Sequence, residues 1–224
     1  MIHIEIDPSF RKVCPAFVGG AVEAEVRNGE TPLALWQEVE SAAENLRRQF
    51  SADTLKLRSG IAATRAAYKV AGKDPSRYRP ACEQLARRVI QGKDLYSVDL
   101  LVDLGNLVSL VSGYSTGALD ANAIEGGRLC LGIGHADEPY EGIGRGRLNI
   151  ESLPVYRDAL GGVATPTSDS TRTMLSSSTR RLLLLVNGYD GRREAVEQAL
   201  RLTQELLTRF AASDGGRYWL FGAE

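Results

Sequence analysis

Two blocks of different apolar periodicity divide this chain. Between residues 31 and 113 apolar side chains recur every three or four positions, and between 127 and 186 they alternate or run in short groups. The first spacing builds one stripe of a helix. The second fills one face of a strand, or both faces of a buried one. Separate runs of helix and strand point to an α+β fold, with a mostly antiparallel or mixed sheet flanked by helices.

The clearest helix covers TPLALWQEVESAAENLRRQF, residues 31–50, with Thr31 as its cap and Pro32 at the first helical position. Trp36, Val39, Ala43, Leu46 and Phe50 form its stripe, so Trp36 reads as core. Further helices are expected over 59–72, 80–92 and 100–113, with Ser59 and Asp99 as caps and Gly72, Gly92 and Gly113 as stops. Strands are expected over 2–6, over 16–26 with a bulge or bend at Gly19-Gly20, over 127–134, and over the buried run 180–186. Short strands follow around Asn149–Ile150, Val155–Arg157 and Val163–Thr165, with Gly161-Gly162 as a hairpin turn. A helix over 190–210 closes the chain. The small, polar residues 113–120 read as a loop on which a ligand or another backbone packs. With no linker-like tract and no repeat, residues 1–224 are taken as one domain.

A net charge of −1 over 224 residues does not mark a nucleic-acid binder, yet residues 56–93 carry ten Lys or Arg against Asp74 and Glu83, a local balance of +8. Such a block either attracts phosphates or is a solvated face compensated elsewhere. Three cysteines without a C-x-x-C spacing argue against a disulfide framework or zinc cluster and suit a reducing cytoplasm. The N-terminus lacks a signal pattern, and the apolar run at 182–186 is too short for a bilayer. No metal, cofactor or membrane is expected.

The P-loop motif is absent, and Gly142-Ile-Gly-Arg-Gly146 lacks the strand–helix frame of a dinucleotide loop. His135 stands near Asp137, Glu138 and Glu141, a weak pattern for a metal or a proton relay. Two polar stretches remain. Asp103 and Asn106 share a face of the fourth helix, with Asp103 read as a structural tie of helix to sheet. Residues 166–181 hold ten Ser, Thr or Asp together with Arg172, Arg180 and Arg181, suited either to a polar substrate or to a solvated loop.

Three of these segments resemble the B3/B4 domain, the editing domain of the phenylalanyl-tRNA synthetase β subunit, and more closely the free-standing proteins built from it. They are R-x-x-Y-x-x-x-G-x-D-P-S-R-Y-R-P from Arg65 to Pro80, V-D-L-x-N-L-V-S-L from Val102 to Leu110, and S-D-S-T-R-T from Ser168, leading into a Thr-x-x-Leu-Leu strand that ends at Leu183. The likeness is strongest over residues 58–186. It implies a pocket between 113–120 and 162–173 that, in the synthetase, hydrolyses the ester of wrongly charged tRNA. By that resemblance Asn106, Ser115, Thr116, Gly117, Ala118, Ser170, Arg172 and Thr173 would bind substrate, and Ser168 and Asp169 would carry catalysis. Asp169 would orient water or an amino group, with hydroxyls and the amides of 115–118 stabilising an oxyanion. Arg77, Arg79, Arg87 and Arg88 would meet tRNA or aminoacyl-tRNA.

The sequence also departs from the synthetases. Gly117 stands where their editing-site His stands, and Gly162-Val163-Ala164-Thr165-Pro166 replaces their Gly-Val-Met-Gly-Gly. The free-standing relatives share both changes. Two functions therefore stand side by side: editing in trans, or non-catalytic binding of RNA or a small ligand. A third, an unrelated small-molecule enzyme near His135, uses the scaffold alone.

Overall fold

Strand β9 (Arg181–Gly188) is the axis of the molecule, and the computed structural model describes residues 1–223 around it. Leu182, Leu184 and Val186 pack into a cluster with the helices, while Leu183 and Leu185 pack into a second cluster with the other sheet. A strand covered on both faces has no polar side to show, which is why it reads as a continuous apolar run.

The elements before β9 are β1 (His3–Ile6), α1 (Pro8–Val13), β2 (Val18–Glu25), α2 (Leu33–Gln49), α3 (Ser59–Ala71), α4 (Ala81–Ile90), α5 (Leu100–Ser112), β3 (Ser115–Asp120), β4 (Arg128–Ile133), the small hairpin β5 (Glu141–Gly142) and β6 (Gly146–Arg147), β7 (Pro154–Arg157) and β8 (Gly162–Ala164). After β9 come α6 (Arg193–Phe210) and β10 (Arg217–Gly222). One sheet runs β10-β2-β9-β3, antiparallel throughout; the other runs β1-β4-β7-β8, with β1 and β4 parallel. Helices α2, α4, α5 and α6 cover one face of the first sheet, and the second sheet covers its other face. The fold is α+β, with one mixed and one antiparallel sheet flanked by helices.

Several local expectations are corrected. Gly19-Gly20 makes no bulge, since β2 pairs with β9 and β10 without a break. Its glycines clear space instead: a Cβ on Gly20 would stand 2.7 Å from Leu200 of α6. Thr31 does not cap α2; its hydroxyl donates to Asp103 Oδ2 at 2.6 Å. Ser59 does not cap α3; it donates to Asp190 at 2.6 Å. Asp99 does cap α5, accepting from the Val102 amide at 2.9 Å, and Gly72 and Gly113 end their helices in the left-handed region. Asn149–Ile150 forms no strand, because the carbonyls of Asn149 and Glu151 accept from buried Lys73 Nζ at 2.9 and 2.6 Å. The segment expected as a loop, 113–120, is mostly strand β3. Its burial alternates, with Ser115, Gly117 and Leu119 inward, but Ser115 and Gly117 are too small to show a strand period.

Candidate functional site

The segments 113–120 and 166–181 meet at the outer edge of β3. Pairing with β9 uses alternate β3 amides, and the Ala118 amide points the other way, donating to Asp169 Oδ2 at 3.1 Å. A Cβ on Gly117 would stand 3.3 Å from Asp169 Oδ1. The backbone that packs on β3 is thus the chain's own segment around Asp169. Burial pushes the Asp169 carboxyl up to about 7, against the opposing effect of the Ala118 bond.

Its neighbours are largely occupied. Buried Ser115 accepts from the Cys82 amide through its hydroxyl at 3.3 Å and from Asn187 Nδ2 through its carbonyl at 3.0 Å. Asn187 in turn accepts from the Tyr156 hydroxyl at 2.7 Å. Thr116 donates to the Gly105 carbonyl at 3.1 Å. Ser170 accepts from the Arg172 amide at 3.3 Å, and Thr173 is buried against the Val163 carbonyl. Arg172 grips Asp158 with two bonds of 2.9 and 2.7 Å. Burial acts to raise the Asp158 carboxyl, but Arg172 and the amides of Glu125 and Leu160 outweigh it and hold it low.

Residues on either side of Asp169 line two different cavities. One, of about 630 Å³, lies against Tyr140, Gly162, Ser170 and Arg172. The other is a groove of about 610 Å³ between α4, the start of α5 and the β5–β6 hairpin. Asn106, Thr167 and Ser168 line this groove beside Arg79, Arg87, Arg88, Lys93 and Arg145. Asp103 is the one carboxylate in its wall, and both its oxygens are engaged: Oδ2 by Thr31 at 2.6 Å and Ser97 at 2.5 Å, Oδ1 by the Val98 amide at 3.2 Å. Asp103 therefore ties α5 to the segments before α2 and α5, and makes no tie to the sheet.

The basic block resolves into two kinds of residue. Arg58 donates to the last carbonyls of α5, and Lys73 to the 149–151 turn. Arg65, Arg79 and Arg87 surround buried Glu83 at 2.9, 3.5 and 3.7 Å, so one carboxylate anchors three guanidiniums. Arg79 Nε is buried with no hydrogen-bond partner. Arg77 is exposed over the Tyr78 ring and lies outside the groove wall.

The spacing from Arg65 to Pro80 has a mechanical basis. Tyr68 shares a hydrogen bond of 2.9 Å with Thr167, whose hydroxyl donates to the Tyr78 carbonyl at 3.2 Å. These bonds hold Thr167 against α3 and the connection between α3 and α4. Near His135, Glu138 accepts from the His135 amide at 2.9 Å and from Arg157 at 2.6 Å. Among the described residues no group of three His, Cys, Asp or Glu is placed to hold a metal, and no helix is long and apolar enough to cross a membrane.

Lys93, Tyr96 and Arg145 also line the groove, although no motif marks them as site residues. The glycine-rich 142–146 segment is the available signal for Arg145: it is a hairpin that brings Arg145 to hydrogen-bond with Gln84. Trp36 packs against the core, as its spacing predicts, but also lines the groove.

No curated protein matches this chain. Among solved structures it is similar to an N-terminal fragment of the phenylalanyl-tRNA synthetase β-subunit from Pyrococcus horikoshii, at 13% identity and a TM-score of 0.49. That alignment covers 97% of this chain and 50% of the fragment, so the chain spans about half of its length. The family model described as the B3/4 domain matches residues 63–212, and the chain belongs to the B3/4 domain family.

Proposed function

We propose that this protein binds the acceptor end of tRNA or aminoacyl-tRNA in the arginine-lined groove. One observation carries the reading: five cationic side chains line a single concave surface against two carboxylates, Asp103 in the wall and buried Glu83 beside Arg79 and Arg87, which leaves the wall positive. Such a surface favours a polyanion. The motifs that resemble the synthetase editing domain support tRNA as its source.

A second reading, hydrolysis of a mischarged aminoacyl ester in trans, is favoured by Asp169. A carboxyl that titrates near 7 can give and take a proton at neutral pH, and the Ala118 amide beside it is a donor at a sheet edge. Asp169 does not itself line the groove, whereas its neighbour Ser168 does. Binding is therefore placed before catalysis.

The test mixes the purified protein with tRNA charged with correct and incorrect amino acids, following complex formation and ester loss together. Complex formation supports the first reading, and faster loss of one aminoacyl-tRNA adds the second. Failure to bind any tRNA contradicts both.

A further inference from the structure

We infer that the groove takes an unpaired stretch of RNA, with bases stacked on Trp36 and Tyr96 and phosphates held by the arginines. This rests on the proposed RNA-binding function and specifies which form of RNA the site recognises.

Trp36 lines the groove and a smaller hollow beside it, and Tyr96 lines both as well. The Trp36 Nε1 donates to Glu40 at 3.1 Å. Tyr96 is 70% exposed, and the Arg88 guanidinium stands 5.3 Å from its ring centroid. Leu33 and Val98 nearby are also largely exposed.

An exposed ring held beside a cation fits a flat partner that carries negative charge. Single-stranded nucleic acid has both features, because each base offers a π face and each link a phosphate. A duplex offers phosphates but keeps its base faces stacked inside. An acidic peptide offers charge without planar surfaces. Lys93 precedes Tyr96 in the same irregular segment, and Asp103 pins that segment through Ser97 and Val98, so Lys93 and Tyr96 share one tethered segment.

The test uses the full chain with a short single-stranded RNA, the same RNA annealed to its complement, and poly-glutamate. Tyr96→Ala is expected to weaken single-strand binding by roughly fivefold or more, while Tyr96→Phe, which keeps the ring, stays within about twofold. In a Trp219→Phe background, which leaves Trp36 as the only tryptophan, the single strand should quench emission and poly-glutamate should not. Equal binding of single strand and duplex would overturn the inference, as would unchanged affinity in Tyr96→Ala. Quenching by poly-glutamate equal to that by RNA would overturn it in favour of an acidic protein partner. If tRNA binds with any of these contrary results, only the stacking inference fails. If neither tRNA nor single-stranded RNA binds, the proposed function fails with it.

Discussion

Gly117 and Asp169 face each other across the edge of β3 with space for a carboxylate and little else. A Cβ at Gly117 would stand 3.3 Å from Asp169 Oδ1, while Oδ2 accepts from the following amide, that of Ala118, at 3.1 Å. A branched side chain at 117 would push the carboxylate off that amide. Gly117→Val is expected to lose about 1–3 kcal/mol of stability, read by urea unfolding, despite the higher strand preference of valine. Unchanged stability would show that the 167–170 segment yields freely.

Asp169 also gives the protein a pH signature. Its folded-state value is raised to about 7 from an ordinary value of 3.8, so the folded state binds more protons than the unfolded state between those limits. Stability contributed by the neutral form is present below about pH 4 and is lost as pH rises towards 7. Asp169→Asn keeps an acceptor for the Ala118 amide and removes the charge. Its stability at pH 8 should exceed that of the wild type by an amount on the order of 2–4 kcal/mol, with the difference shrinking as pH falls. Parallel stability curves for the two proteins from pH 4 to pH 8 would refute this.

Glu83 is 2% exposed and faces three arginines. Glu83→Ala leaves Arg65, Arg79 and Arg87 without their shared counter-charge. A loss of about 3 kcal/mol is expected from thermal or urea unfolding, with a weaker loss for Glu83→Gln, which keeps the packing. A surface-like effect within about 0.5 kcal/mol would mean that the arginines are solvated independently.

Asp103 braces the groove wall through Thr31, Ser97 and the Val98 amide. Asp103→Ala should cost about 2–3 kcal/mol and speed hydrogen exchange across residues 93–99. Exchange unchanged in that segment would show that Asp103 does not hold it.

Legibility in the sequence depended on range. The helices α2 to α6 and strand β9 were readable because their packing repeats along the chain: the α2 stripe through Val39, Ala43 and Leu46 and the two-sided burial of β9 are local patterns. Strand β3 was not, because Ser115 and Gly117 are small where a strand usually shows bulk. Their smallness answers to Cys82 and Asp169, distant residues that touch them. Caps failed for the same reason: Thr31 and Ser59 have the right chemistry, but Asp103 and Asp190 claim their hydroxyls. The family motifs identified the segments that meet, yet Arg145 and Tyr96 reach the groove from a hairpin and an irregular loop that no periodicity marks.

If the groove holds RNA through its arginines, binding must depend on salt in proportion to the phosphates they neutralise. The most direct measurement is therefore the salt dependence of tRNA binding by the wild type and by Arg79→Gln, Arg87→Gln and Arg88→Gln combined. For each phosphate that is no longer neutralised, the slope of log affinity against log salt should fall by about 0.7–0.9 in magnitude, so the combined variant should bind weakly and with a slope smaller by about two to three. Affinity and slope equal to those of the wild type, in a variant that remains folded, would contradict RNA binding by these arginines.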